Sequence, residues 1–237
     1  MTQLPALISL PTDELLARFG DERPTPGSGC AAALMGLLSA SLICAVARLT
    51  KEKGASFSDR ERSALILSLV DGRLTDDLKQ AFQRDAELFE SIIELRQQRD
   101  SAVDENAKRR LQRAAIAELK PATDILFEII DRCFQLIENG IALYGIGYKA
   151  ARGDTGAALS AAVAAISSAI FVVTLNAKTS RANWALDAMK RIDTVQSRLA
   201  AQQAEIFGLI RLSKDEAFEA IQKSFDGATG SSFQRLT

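Results

Sequence analysis

Apolar positions along the chain recur with helical rather than strand spacing. From Thr75 onward, Leu78, Phe82, Phe89 and Ile92 keep one face of a helix apolar to about Arg96. Leu126, Ile130, Phe134 and Ile137 do the same in the second half of a long helix expected from Asp104 to Gly140, with Pro121 as a kink. Nearer the start, Thr12 with Asp13 and Glu14 reads as the N-cap and acidic first turn of a short helix to Phe19, which Gly20 and Pro24 stop. A second helix is expected from near Gly29 to about Lys51, ended by Gly54, and a third from a Ser58 cap to about Val70, with a break at Asp71-Gly72. Gly145, Gly147 and Gly153 mark a loop before another helix, and from Trp184 a helix runs to about Leu212 with a shorter one behind it. No stretch alternates with period two for long enough to make a strand. The expected fold is therefore all-α, a single bundle with long antiparallel helices and two central small-residue helices. Residues 1–237 are expected to form one domain with its core over about 11–210, leaving 211–237 as an extra helix and a mobile tail.

The two small-residue helices stand out because they carry no charge over residues 30–47 and 155–177. Either stretch approaches the length of about 20 apolar residues that spans a bilayer. Both, however, are rich in Ala, Gly and Ser, which suits helices packed closely in the middle of a soluble bundle. Helices this apolar also invite cover from a second subunit, so a homodimer is expected and a membrane partner is not.

Composition narrows the chemistry. The 237 residues carry 29 basic and 30 acidic side chains, a formal net charge of −1, so no overall field favours nucleic acid. Cys30, Cys44 and Cys133 lie in apolar surroundings without CxxC spacing and read as reduced structural thiols, with no zinc site. The opening MTQLPALISL has no basic stretch before its apolar part and makes a poor signal peptide, which leaves a cytoplasmic location. There is no histidine, which excludes Ser-His-Asp triads, Cys-His pairs and His-ligated metal within the chain. Proton transfer must use carboxylates, lysines, tyrosines or water.

Three places could carry such chemistry. Pro24-Thr25-Pro26-Gly27-Ser28-Gly29 is a stiffened, glycine-containing entry to a helix. It serves either as a plain turn or as a cradle whose backbone N–H groups meet a carboxylate or phosphate. Asp85, between Phe82 and Phe89, projects from an apolar stripe, so it is either a buried ion pair with an arginine or a carboxylate facing a cavity. Asp154 precedes an unbroken helical run and reads as its N-cap, a role compatible with orienting a water or stabilising a cation. Lys51 and Lys53 complement the dipole at a helix end and could attract an anionic tail.

Together these pieces resemble the cyclodeaminase/cyclohydrolase family. PTPGSGCAAAL at 24–34 is similar to that family's PTPGGGSAAA segment, and ARLTKEK at 47–53 to its Leu-Thr and lysine-rich stretch. RDAELF at 84–89, GDTGAAL at 153–159 and VTLNAK at 173–178 resemble its Asp-Ala-Glu-Ala-Phe, Ser-Asp-x-Gly-Val-Ala and final Asn-bearing motifs. The resemblance implies a helical dimer acting on one-carbon adducts of tetrahydrofolate, with no metal and no cofactor beyond the folate substrate. It places the catalytic aspartate at Asp154, beside a pterin-sized hollow, and the substrate-binding positions at Pro26, Gly27, Ser28, Gly29, Lys51, Lys53, Asp85 and Asn176. The chain departs from the family pattern at Ser28, Cys30, Tyr148, Ala150, Val172 and Gly153, where polar or glycine positions have changed.

The activity that follows is hydrolysis of 5,10-methenyltetrahydrofolate to 10-formyltetrahydrofolate. The alternatives are cyclodeamination of the 5-formimino adduct, and a folate-binding or assembly subunit that has lost catalysis. Geometry adds one expectation. If the helix from 155 is unbroken, 22 residues separate Asp154 from Asn176 by about 33 Å, so a site using both must draw on two subunits.

Overall fold

The computed structural model describes residues 7–22 and 24–233, with side chains to residue 225. Among the described residues there is no strand; after a short 3₁₀ turn at Leu7–Ser9, seven α-helices follow in order. They are α1 (Thr12–Phe19), α2 (Ser28–Lys53), α3 (Phe57–Ser68), α4 (Thr75–Ser101), α5 (Glu105–Ile146), α6 (Arg152–Thr179) and α7 (Asn183–Phe233). The all-α expectation therefore holds.

Several boundaries move for identifiable reasons. Pro11, not Thr12, is the N-cap of α1, and Ser56, not Ser58, caps α3 by accepting the Asp59 N–H. Asp71-Gly72 does not break the chain. A π-helical turn at Leu69–Leu74 carries α3 into α4, with Val70 and Leu74 fully buried. The wider turn frees a carbonyl, and Thr75 Oγ1 donates to Val70 O at 2.7 Å. Pro121 lies inside α5 as expected, but α5 runs past Gly140 to Ile146. Of the three loop glycines only Gly147 ends a helix: a Cβ there would lie 2.3 Å from Leu143 O, whereas one at Gly145 or Gly153 would meet nothing. The expected break near Leu212 is absent, since α7 is one helix to Phe233. The tail expected to be mobile, 226–237, lies outside the residues whose side chains are described.

The chain divides into two units, residues 1–196 and 197–237. In the first, α2 packs against α3, α4, α5 and α6, and α5 against α4 and α6. Close approaches fix the directions. Gly36 of α2 meets Leu78 of α4 and Cys133 of α5, and Gly140 of α5 meets Leu159 of α6, where a Cβ would come within 2.8 Å of Leu159 Cδ2. The start of α2 lies by the end of α6, while Tyr148 N, just before α6, donates to Thr50 Oγ1 near the end of α2 at 3.0 Å. The two small-residue helices are thus antiparallel neighbours at the centre. Phe82, Phe134, Ile43, Ile130 and Leu136 are among the fully buried side chains around them. The first part of α7 adds Trp184 against a cluster of Ile92, Leu119 and Ala122, and Arg191 over the Phe127 ring at 4.0 Å, paired with Asp131 at 2.8 Å.

Both α2 and the segment around α6 are long and apolar enough to cross a membrane. Burial differs: 61% of the apolar window of α2 is buried inside the bundle against 39% of that of α6. The exposed side of α6 runs through Asp154, Ala157, Ser160, Ala164, Phe171 and Leu175, and is uncharged between Asp154 and Lys178. In the second unit Leu199 and Ile206 are buried, while residues 211–225 are exposed throughout.

Candidate functional site

The glycine-containing loop delivers the chain into α2 over a buried carboxylate. Thr25 Oγ1 donates to Glu90 Oε2 of α4 at 2.5 Å, the Thr25–Pro26 peptide is cis, and Pro26 is buried. Gly27 is the N-cap, its carbonyl accepting the Ala31 N–H at 3.0 Å. Asp85 of α4 lies directly on this first turn. A Cβ on Gly29 would fall 2.2 Å from Asp85 Oδ1 and 2.5 Å from Oδ2, so only glycine leaves room for the carboxylate. Cys30 Sγ donates to Asp85 Oδ2 at 3.3 Å and lies 3.5 Å from Phe82 O.

Among the described residues no cation pairs with Asp85; neighbouring Arg84 turns instead to Glu128 at 2.8 Å. Of the two readings of Asp85, the structure has the carboxylate lining a hollow. Burial raises its pKa above the ordinary carboxylate value, an effect partly offset by hydrogen bonds from the Cys30 thiol and amide. Burial and the adjacent Asp85 charge push the Cys30 thiol up in turn, so it stays a donor.

The hollow is lined by Gly27, Ser28, Gly29, Asp85, Phe89 and Asn176, with Ile92, Ala122 and Val172 behind them, and holds about 40 Å³. Asn176 Nδ2 donates to Thr123 Oγ1 of α5 at 3.2 Å, which fixes the amide on α6. The sequence pattern reads Phe89 and Ile92 as plain core, and nothing in it singles out Thr123; their place in the site comes from tertiary packing. Ligand pockets usually enclose a few hundred Å³, so this hollow admits a small group, not a whole pterin.

Asp154, Lys51 and Lys53 lie elsewhere. Asp154 is not the N-cap of α6, because a 3₁₀ turn at Lys149–Ala151 starts the helix earlier, with Ala151 as the cap. It sits exposed in the first turn of α6. Lys51 and Lys53 occupy the last turn of α2, and Lys53 Nζ stands 5.5 Å over the Tyr148 ring, just ahead of α6. The 24 residues from Gly29 to Lys53 put these ends of α2 about 36 Å apart. α6 is unbroken from Arg152 to Thr179, so Asp154 and Asn176 are likewise separated by about 33 Å within one chain. The expected site residues thus form two groups at opposite ends of the α2–α6 pair: Pro26, Gly27, Ser28, Gly29, Asp85 and Asn176 at one, Lys51, Lys53 and Asp154 at the other.

A larger open hollow of about 540 Å³ lies between the end of α6 and the start of α7, lined by residues such as Ala177, Lys178, Arg181, Leu186 and Met189. It holds none of the expected site residues. Among the described residues no three Cys, Asp or Glu side chains are grouped to hold a metal ion.

The chain belongs to the formiminotransferase-cyclodeaminase family, which matches residues 11–192. The crystal structure of formiminotetrahydrofolate cyclodeaminase from Thermotoga maritima, at 2.80 Å, has a similar fold: the TM-score is 0.65 at 20% identity, over 86% of this chain and 94% of that one. No curated protein matches the chain.

Proposed function

We propose that the protein hydrolyses 5,10-methenyltetrahydrofolate to 10-formyltetrahydrofolate, in the cytoplasm, at a site shared by two copies of the chain. The observation that carries this reading is the division of the site residues into two incomplete groups at the ends of one antiparallel helix pair. Between them runs the exposed, uncharged side of α6, whose Ala157 and Ala164 permit close approach of another helix. Pairing two α6 helices antiparallel brings Asp154 and the lysines of one copy to Gly27, Gly29, Asp85 and Asn176 of the other. It also sets Asp154 of each copy near Lys178 of the other, so the ends of the apolar stripe are complementary in charge.

The chemistry asks for little more. The amidinium carbon of the substrate is electrophilic, so water adds to it once a carboxylate takes the proton. Asp154 is the residue for that step. The new C–O bond forms as the C–N5 bond breaks, N5 keeps the electron pair and is protonated, and one proton is released overall. Asp85 and Asn176 offer a carboxyl and an amide hydrogen-bonding group to the pterin edge. The N–H groups of Ser28 and Gly29 at the start of α2, Lys51 and Lys53 suit the anionic glutamate tail.

Purified protein should discharge the absorbance of methenyltetrahydrofolate, and Asp154→Asn should abolish this with the fold intact by circular dichroism. An unchanged rate in Asp154→Asn refutes the assignment. A second reading, cyclodeamination of the 5-formimino adduct, is favoured by the activity named for the Thermotoga maritima protein. Ammonia released from that adduct, with methenyltetrahydrofolate left intact, would select it.

A further inference from the structure

The open hollow of about 540 Å³ between the end of α6 and the start of α7 has no part in the folate site, and all of its walls belong to the first unit. Its α6 positions, Thr174, Ala177 and Lys178, lie on average about a quarter turn around the helix from the exposed stripe through Phe171 and Leu175, on the side away from Asn176. Neither a partner on that stripe nor a ligand beside Asp85 fills it.

The lining has two chemistries. Ala177 and Ala185 are buried, while Leu186 and Met189 stand 67% and 36% exposed beside them, which gives the hollow an apolar wall open to solvent. The volume is in the range of small-molecule sites. The charged groups are all of one sign: Lys178 and Arg181 line the hollow, no acidic residue does, and among the described residues no carboxylate pairs with either cation. Elsewhere the chain neutralises such cations in place. At the smaller hollow between α4 and α5, Arg84 meets Glu128 at 2.8 Å and Arg132 meets Asp77 at 2.7 Å.

The hydroxyl beside them points the same way. Ser180 Oγ accepts the Ala182 N–H at 3.2 Å, which leaves its own O–H to donate. The hollow therefore offers donors and positive charge next to exposed apolar side chains, and what complements it is an acceptor-rich negative head on an apolar body. Lys178 also borders the α6 pairing proposed above. Arg181, beyond the last turn of α6, is the anchor that does not depend on that pairing.

We propose that this hollow binds a small amphipathic organic anion, an acyl or aryl carboxylate, whose head pairs with Arg181 and Lys178 and whose apolar body covers Leu186 and Met189. The site is separate from the folate site and does not depend on the reaction catalysed. Two fluorescent probes of similar shape test it on the full chain: the anion 8-anilinonaphthalene-1-sulfonate and the uncharged N-phenyl-1-naphthylamine, both of which brighten in apolar surroundings. Wild-type protein should bind the sulfonate saturably, and decanoate should displace it. Arg181→Gln should weaken the sulfonate about tenfold and leave the uncharged probe unchanged, since only the charged hydrogen bonds are lost. Leu186→Asp should weaken both probes, with helicity unchanged because the position is exposed. Sulfonate binding that neither substitution alters lies on another surface and overturns the proposal. Equal weakening of the two probes by Arg181→Gln, or no displacement by decanoate, overturns it as well.

Discussion

The seat of Asp85 on the first turn of α2 can be tested by adding one methyl group. In Gly29→Ala the new Cβ would fall 2.2 Å from Asp85 Oδ1 and 2.5 Å from both Cγ and Oδ2, well inside van der Waals contact. Asp85 is 8% exposed and held by Cys30, so the carboxylate cannot swing into water without losing that bond, and α2 and α4 must otherwise move apart. Overpacking of this kind costs about 1–3 kcal/mol, which for a chain of this size lowers Tm by roughly 2–12 °C. The sign should reverse once the carboxylate is gone. In an Asp85→Ala background the atoms that the methyl group meets are absent, and Ala is better than Gly inside a helix by about 0.5–1 kcal/mol. Urea denaturation of the four proteins in this cycle gives the coupling directly. Gly29→Ala costing the same with and without the Asp85 side chain would refute the packing argument.

Other expectations are simpler. Burial raises the pKa of Asp85 in the folded state, so its contribution to stability is present at low pH and is lost as pH rises through the folded pKa. Asp85→Asn, which cannot ionise, should therefore gain stability relative to wild type as pH rises above the ordinary carboxylate value of about 4; a difference independent of pH, measured by urea denaturation, contradicts this. Phe82 is fully buried and meets Phe19 edge to face at 6.4 Å. Phe82→Ala should cost about 3–5 kcal/mol by the same assay, and a loss below about 1 kcal/mol would show that the site collapses around the gap. Asp104 caps α5 by accepting the Asn106 and Ala107 N–H groups at 3.2 and 2.9 Å. Asp104→Ala should cost about 0.5–2 kcal/mol, and hydrogen exchange at those two amides should rise first.

Helical periodicity made the bundle legible, because Leu78, Phe82, Leu126 and Phe134 mark faces that the structure buries. The glycines misled where a local signal was read without its surroundings. Gly145 and Gly153 look like Gly147, yet only Gly147 has a neighbouring carbonyl that a side chain would strike. Asp71-Gly72 has the composition of a break, but buried Val70 and Leu74 on either side hold the chain in a helix that widens into a π turn instead. At the site, Asp85 was legible because a charge on an apolar stripe demands an explanation. Its partners were not: that Gly29 makes room for it, that Cys30 donates to it and that Thr123 steadies Asn176 all depend on tertiary neighbours. The separation of Asp154 from Asn176 followed from helix rise alone and stands in the unbroken α6. Asp154 itself was misplaced as a cap because the 3₁₀ turn ahead of it leaves no mark in the sequence.

The central claim is that Asp154 of one copy works with Asn176 of another. Asp154→Asn and Asn176→Ala should each be inactive on methenyltetrahydrofolate as separate, folded proteins. Mixed dimers made by co-expression contain one site with both changes and one with neither. Random assembly makes half of the dimers mixed, so about a quarter of the wild-type rate should return. No recovery in dimers shown to be mixed would contradict the shared site.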